Sequence, residues 1–518
     1  MKADSNSNPS VGPPLFFEAP LAWLALFGPG AIIASLTIGT GELIFSTRGG
    51  ALFGYRVLFL FVLISVLKWG MVVAMARHMV LTGVHPYQRF LELPGPRGWF
   101  LTLILLVLAI CMPVWVSFHS AVIGNLSSWV TGTSDVSGID FVWGGSILVG
   151  LLLLSAFGGY SLLERVQLFI VCALVLSAMV TLIIYQPDWL AIVRGAVLPS
   201  HLAYPDWINK DSYPNIANQP VWVETTRYVG VIGGAAFDYL AYTSWIRDKQ
   251  WGWAGKKPAT SVELAEMAAN PQHPIRLWIK APVVDCTICF LLVVLFCAVF
   301  VAAGTLFLGP NHKVPDEANL LNLQAQFVTV LHPWLLPLYV SGAFLTMLGT
   351  LYGVIEVANA ALRELAYTAN RFFAETYEVR LRRFSTVWCA VGALGVLSWM
   401  CIHQLQGGAE KPRILLDVMT PANLFTGVFS CGYICWLLVW MDRKFLPPAL
   451  RMPTWLWLLN LVSGLLFLVL GMRGFWEDKT RWFSIGLVGA MLFMSLIICW
   501  LFDPWKRFAV GNQTSWRA

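Results

Sequence analysis

Apolar runs of helical length follow one another along this chain of 518 residues, separated by polar connections. A helix needs about 20 residues to cross the hydrocarbon core of a bilayer, and the runs reach that length. We therefore predict an all-α polytopic membrane protein with about twelve transmembrane helices. The predicted spans cover residues 21–53, 55–81, 99–130, 142–161, 166–185, 228–246, 282–308, 327–360, 386–402, 414–440, 455–472 and 483–502.

The first span is too long for one helix, and flexible and polar residues interrupt it. Gly39 and Gly41 each cost about 1 kcal/mol relative to alanine inside a helix, and the acid Glu42 follows them directly. We predict a discontinuous helix with an unwound middle. Lipid does not tolerate the backbone N–H and C=O groups that such a break frees, so they must line a cavity enclosed by protein.

The sixth span repeats this pattern. It carries Gly230, Gly233 and Gly234, and the acid Asp238 follows them within the apolar run. Glycine-interrupted spans at corresponding positions of two halves are the best sequence pointer to the central site of a transporter. We therefore predict two five-helix repeats of opposite topology, with discontinuous helices 1 and 6 and two additional helices at the end.

These positions also predict how the chain is organised. Residues 1–20 form a disordered cytoplasmic tail, 21–185 the first five-helix repeat, 186–227 an extracytoplasmic loop, 228–440 the second repeat, and 441–518 two additional helices with a cytoplasmic tail. Lys and Arg concentrate on the side of the N-terminus, so the positive-inside rule puts both termini in the cytoplasm. The short loops favour a bacterial inner membrane.

Composition excludes a soluble protein, because 58% of the residues are hydrophobic and 12% are charged, whereas soluble domains carry about 25% charged residues. Nearly all of the 10 cysteines lie in apolar segments. We interpret them, including Cys286 and Cys289, as small buried hydrophobic residues rather than a redox or metal motif.

The function class follows from what the sequence lacks. It contains no phosphate-binding loop, no zinc-protease motif and no serine-nucleophile motif. We expect no enzyme activity, no cofactor and no nucleic-acid partner. A secondary transporter of a small ion or small molecule in a lipid bilayer fits best, and the sequence leaves its oligomeric state open.

Two acids carry the candidate chemistry. A carboxylate in the middle of a membrane costs several kcal/mol unless it is paired, protonated or bound to metal. Glu42 and Asp238, together with backbone carbonyls beside the breaks, would form an all-oxygen site that suits hard cations such as Mg²⁺, Mn²⁺ or Ca²⁺. Alternatively, each acid only caps the N-terminus of a half-helix, where negative charge is favoured.

Two further polar residues lie inside predicted spans. Lys68 is near the middle of the second span and is a candidate counter-ion to Glu42 or Asp238, or part of a proton or anion path. His119 on the third span is a candidate proton carrier, because histidine titrates near neutral pH. The alternative for His119 is a packing role.

Seven short pieces of the sequence, in their order and spacing, resemble the NRAMP family of divalent-metal transporters, which have the LeuT-type 5+5 inverted-repeat fold. The resemblance covers the chain from about Gly28 to Trp440. The pieces are residues 28–30, 49–55, 160–164, 186–189, 194–199, 229–233 and 349–353. The resemblance implies the fold, with discontinuous helices 1 and 6, and the transport of divalent cations by alternating access.

The sequence departs from the family at the site itself. Where the family has Asp-Pro-Gly-Asn, residues 39–42 read Gly-Thr-Gly-Glu, and where it has Met-Pro-His, residues 237–239 read Phe-Asp-Tyr. The family's acids on the third span are also missing near residues 118–121. Loss of the thioether argues against soft transition metals, and two carboxylates argue against a neutral solute. We therefore expect a hard divalent cation, and the coupling to protons is open.

Two other interpretations remain. A transporter of an organic solute, amino acid or anion on the same fold would use Lys68 and the aromatic residues Phe237, Tyr239 and Tyr242. A receptor or scaffold would not need two acids at two helix breaks. The predicted site has Glu42 and Asp238 as metal ligands and Lys68 and His119 as proton or counter-ion residues, and the rest of its substrate-binding set is Thr37, Gly39, Thr40, Gly234 and Phe237.

Overall fold

The computed structural model describes residues 29–156, 176, 179–180, 183–184, 186–316, 320–330, 332–407, 415–478 and 480–505. These ranges are mainly helical and contain no β-strand. The predicted tail of residues 1–20 and the predicted span 166–185 lie mostly or wholly outside them. In chain order, the helices used below are α1 (Pro29–Thr37), α2 (Thr47–Phe53), α3 (Leu58–Thr82), α4 (Trp99–Val130), α5 (Ile139–Ala156), α6 (Trp189–Val197), α7 (Val221–Val231), α8 (Ala236–Lys249), α9 (Lys280–Ala303), α10 (Leu336–Ala369), α11 (Glu378–Gly407), α12 (Leu415–Asn423), α13 (Ser430–Phe445), α14 (Thr454–Glu477) and α15 (Arg481–Phe502).

The membrane character predicted from the sequence is confirmed. Within the described ranges, eight helices are long and apolar enough to cross a bilayer. The third predicted span matches α4 at both ends. Helix α10 continues to Ala369, nine residues beyond the predicted end at 360, because its buried Glu364 is paired with Arg247 of α8 and so remains compatible with a helix inside the protein.

The first span is discontinuous, as predicted. Helix α1 ends at Thr37, residues 38–39 form a turn, and a π-helix over Thr40–Ser46 leads into α2. Gly39 and Gly41 permit the break, and they also allow neighbouring helices to approach closely. A Cβ on Gly39 would lie 2.0 Å from Oγ1 of Thr350, and a Cβ on Gly41 would lie 2.7 Å from the carbonyl oxygen of Val231. The first broken span therefore packs directly against α7 and α10.

The sixth span is also discontinuous. Helix α7 ends at Val231, residues 232–235 are unwound, and α8 begins at Ala236. Gly233 and Gly234 have φ angles of +77° and +98°, which a residue with a side chain rarely adopts. Helix α7 begins at Val221, not at 228 as predicted, because Pro220 starts it and its polar residues are buried in ion pairs.

The two broken spans pack against α3, α9 and α10, and α4 lies beside them. Helix α14 packs against α13, where Gly432 and Gly464 allow a close approach, and α15 packs against α4. We call the end of the molecule at which α1 begins the inner end, and the end at which α2 finishes the outer end.

Candidate functional site

The carbonyl groups of the unwound segment 232–235 are bonded by side chains from two helices. The ammonium of Lys68, on α3, donates to the carbonyl oxygens of Ile232 at 2.8 Å and Gly234 at 2.5 Å. The hydroxyl of Tyr239, on α8, donates to the carbonyl oxygen of Gly233 at 2.5 Å. These bonds replace the intrahelical ones that the break removes, which a water-poor interior requires.

Two of the N–H groups of the same segment are bonded by the two predicted acids. Oε1 of Glu42 accepts a hydrogen bond from the N–H of Gly233 at 3.1 Å, and Oδ2 of Asp238 accepts one from the N–H of Ala235 at 2.6 Å. Asp238 therefore caps the N-terminus of α8, as one of the two sequence interpretations allowed. Oε2 of the fully buried Glu42 has no hydrogen-bond partner among the described residues.

A cavity of about 50 Å³ lies beside the break. This volume accommodates a small ion with a few water molecules, whereas pockets for drug-sized organic ligands measure about 300–1,000 Å³. Its wall combines residues of α1, α4, α7, the unwound segment, α8, α10 and the π-helix Leu424–Phe429, which joins α12 to α13. The lining residues are Leu36, Thr37, Met112, Trp115, His119, Gly230, Val231, Gly234, Ala235, Asp238, Thr350, Val354 and Thr426.

The structure brings four of the predicted site residues to this cavity, namely Thr37, His119, Gly234 and Asp238. Met112 of α4 also lines it and supplies a thioether that was not predicted from the sequence. Nδ1 of His119 lies 2.6 Å from the carbonyl oxygen of Trp115 on the preceding turn, which is consistent with the packing role.

The other predicted residues lie around the cavity. Glu42 and Lys68 contact the unwound segment without lining the cavity, and Phe237 is fully buried outside it. Gly39 packs against the cavity residue Thr350, and the side chain of Thr40 lies outside the described part of the structure. Within that part, no group of three or more His, Cys, Asp and Glu residues is arranged to hold a metal ion. The binding roles of these residues therefore stay predictions.

Comparison with protein families identifies the relationship. The family model described as "Natural resistance-associated macrophage protein-like" matches residues 30–477, which is most of the chain. The chain belongs to the Nramp family. The NRAMP resemblance of the seven sequence pieces is thereby confirmed. A search of curated proteins found no significant match.

Solved structures show the same fold for this Nramp protein. A manganese transporter of Eremococcus coleocola, in complex with an aromatic bis-isothiourea substituted compound, is 15% identical with a TM-score of 0.65, and the alignment covers 98% of this chain and 99% of the other. A structure of a variant of that transporter has the same TM-score and coverage at 16% identity. The predicted fold class is confirmed.

A buried ion pair at the outer end of this Nramp protein was not predicted from the sequence. Nε of Arg48, on α2, lies 2.5 Å from Oε1 of Glu224, on α7, and a second nitrogen lies 3.2 Å from Oε2. The same guanidinium donates to the carbonyl oxygen of Pro315 at 2.6 Å, in the loop after α9. An arginine within an apolar run requires such a partner, and that signal was present at Arg48. The pair therefore joins α2 of the first broken span and α7 of the sixth span to the loop that contains Pro315.

The inner end of this Nramp protein has a second missed link. Oδ2 of Asp285, on α9, accepts a hydrogen bond from the N–H of Gly30 at 2.8 Å and another from the hydroxyl of Tyr242 at 2.9 Å. One carboxylate therefore connects the start of α1 with α8 and α9. The sequence signal for this link was an acidic residue, Asp285, among the apolar residues after Lys280.

Proposed function

We propose that the chain is a secondary-active transporter that carries divalent metal cations across a membrane by alternating access at the two helix breaks. Membership of the Nramp family supports a transporter rather than an enzyme. The manganese transporter of Eremococcus coleocola shares the fold at 15% identity, and the manganese in its name is consistent with a divalent cation. The cargo is the substrate of the protein and not a resident cofactor.

One observation carries the proposal. The small cavity has Asp238 on its wall, and the carboxylate of Glu42 bonds the same unwound segment while one of its oxygens remains free of hydrogen bonds within the described ranges. Buried carboxylates at this depth favour a cationic substrate. The cavity volume favours an ion over an amino acid or another organic solute. The hydroxyls of Tyr239 and Tyr242, which the organic-solute interpretation would use, are already bonded to Gly233 and Asp285.

Hard cations, Mg²⁺ or Mn²⁺, are the proposed cargo, because carboxylate and carbonyl oxygens dominate the polar groups near the break. The Lys and Arg distribution supports both termini in the cytoplasm, and the short loops support a bacterial inner membrane. Alternating access is proposed to expose the cavity first at one end of the molecule and then at the other.

Uptake into proteoliposomes tests this function. Purified protein is reconstituted, Mg²⁺, Mn²⁺ and Ca²⁺ are offered in turn, and an internal pH-sensitive dye reports proton movement. We expect saturable divalent uptake by the wild type and a loss of at least about tenfold in Glu42→Gln and in Asp238→Asn, because removing a buried carboxylate removes charge that offsets the cation.

Asp140→Asn is the matched control. Asp140 is a buried carboxylate of α5 bonded to Ser128 and Asn125, away from the broken spans, so this variant should keep wild-type uptake. Absence of divalent uptake by the wild type would refute the function. Wild-type uptake by both Glu42→Gln and Asp238→Asn would refute the assigned roles of the two acids.

A further inference from the structure

Lys68 occupies a position that cations usually take in a broken membrane helix. Its side chain is fully buried, and its ammonium holds the carbonyl oxygens of Ile232 and Gly234. Carbonyls freed by an unwound segment are the groups with which transporters coordinate small cations. The described structure therefore presents these two oxygens to a covalently attached cation, and a mobile cation can reach them only if Lys68 moves.

The net charge of Lys68, Glu42 and Asp238 also indicates that a bound cation takes the place of the Lys68 ammonium. Lys68 interacts electrostatically with both Asp238 and Glu42. No nitrogen–oxygen distance within 4.0 Å joins it to either acid in the described ranges, so it is not locked in a direct ion pair. With all three groups ionised, the cluster has a formal charge of −1. A divalent cation added beside the ammonium gives +1, whereas a divalent cation replacing it leaves the two carboxylates neutralised. A buried site favours the neutral combination, because uncompensated charge is costly away from water.

Any displacement of Lys68 has to come from its own side chain, which packs closely beside Gly233. Gly233 has no side chain, and a Cβ placed there would lie only 3.7 Å from Cδ of Lys68. The flexible four-carbon stem of lysine can change rotamer without moving the backbone of α3. In the described part of the structure, the carbonyl oxygens of Ile232 and Gly234 accept hydrogen bonds from Lys68 and from no backbone N–H group, so a cation could take over both carbonyls.

We propose that Lys68 is a tethered competitor of the transported divalent cation: its ammonium holds the carbonyls of Ile232 and Gly234 when the site is empty and leaves them when the cargo binds. This inference rests on the proposed function. It assigns Lys68 two effects. The residue weakens cargo binding, which favours release, and it keeps the empty site close to neutral, which allows the unloaded transporter to return across the membrane.

Equilibrium binding of Mn²⁺ and of Mg²⁺ to the purified full-length protein, followed by calorimetry, tests the competition. Lys68→Met keeps the apolar stem and removes the charge, and we expect its dissociation constant to fall at least tenfold, which corresponds to about 1.4 kcal/mol. Lys68→Gln removes the charge but keeps an N–H donor for one carbonyl, so it serves if Lys68→Met does not fold, with the same expected direction.

Two controls separate competition from a supporting role. Lys68→Arg keeps the charge and should not bind tighter than the wild type. Ser65→Ala changes another buried side chain of α3, one turn away, and should stay within about threefold of the wild-type constant. A residue that merely held the unwound segment in shape would give weaker binding in Lys68→Met, which is the opposite sign.

Transport provides a second readout. In proteoliposomes, Lys68→Met should retain exchange of Mn²⁺ for Mn²⁺ and lose at least tenfold in net uptake into Mn²⁺-free vesicles, because only net uptake requires return of the empty site. Unchanged or weaker binding by Lys68→Met and Lys68→Gln, with normal binding by the wild type, would overturn the inference alone. Absence of divalent binding in wild type and variants alike would overturn the proposed function and the inference together.

Discussion

The buried ion pairs at the outer end predict that removing the charge of Glu224 destabilises the protein more than removing the charge of Arg48. Glu224 accepts from Arg48, from Arg227 and from Tyr228, whereas Arg48 has a second acid nearby, Asp316, at 3.4 Å. Glu224→Gln leaves two buried guanidiniums without their shared carboxylate. Arg48→Met leaves Glu224 with two partners, and the side chain of Asp316 is 26% exposed, so water can solvate it.

The magnitudes follow from this difference. Removing one partner of a buried ion pair costs about 3–5 kcal/mol, and we assign that range to Glu224→Gln. Arg48→Met loses charge-assisted hydrogen bonds but leaves no buried charge unpaired, which gives about 1.5–3 kcal/mol. With an unfolding entropy of about 2.1 cal/mol/K per residue, these values correspond to melting-temperature decreases of roughly 3–5 °C and roughly 1–3 °C for this chain.

Thermal unfolding of the purified variants in one detergent, monitored by tryptophan fluorescence, measures both shifts. Asp140→Asn again controls for the change of any buried carboxylate to its amide. The test is whether the melting temperature falls further in Glu224→Gln than in Arg48→Met, because both decreases are measured against the same wild-type protein. A decrease for Arg48→Met equal to or larger than that for Glu224→Gln would refute the view that Glu224 is the shared anion of the cluster.

Two further predictions concern the cavity. Gly39→Ala places a Cβ 2.0 Å from Oγ1 of Thr350, so we expect at least a tenfold loss of divalent uptake, and adding Thr350→Ala should restore part of it; no loss in the single variant would contradict the close packing. Met112→Leu conserves volume but removes the thioether, so Mg²⁺ and Mn²⁺ uptake should stay within about threefold while inhibition by the softer Cd²⁺ weakens. A selective loss of Mn²⁺ uptake would instead place the sulfur among the ligands of the cargo.

Local signals in the sequence were enough to predict the helix breaks. Glycines followed by an acid mark both interruptions, and the structure has breaks at residues 38–39 and 232–235. The bounds of a span were predictable where one apolar run is continuous, as for Trp99–Val130, which forms a single helix. The start of the sixth span was wrong because polar residues near Glu224 read as a loop when their partners are unknown.

Partners across the chain were not predictable. Lys68 bonds residues 164 and 166 positions away, and Arg48 pairs with a residue 176 positions away. A single sequence shows that such a buried charge needs a partner, but only the packing of the helices selects which one. The same limit applies to the cavity, where Met112 of α4 and Asp238 of α8 line one wall although they are far apart in the sequence.

The Asp285 link constrains how the inner end can open. The amide of Gly30 and the hydroxyl of Tyr242 share one carboxylate on α9, so α1, α8 and α9 are fastened together at that end. Moving one of them alone costs a buried hydrogen bond, whereas moving all three as a rigid body costs none at this point. The movement is then expected along the boundary between these helices and α10, where Arg247 and Glu364 form the ion pair that would have to separate.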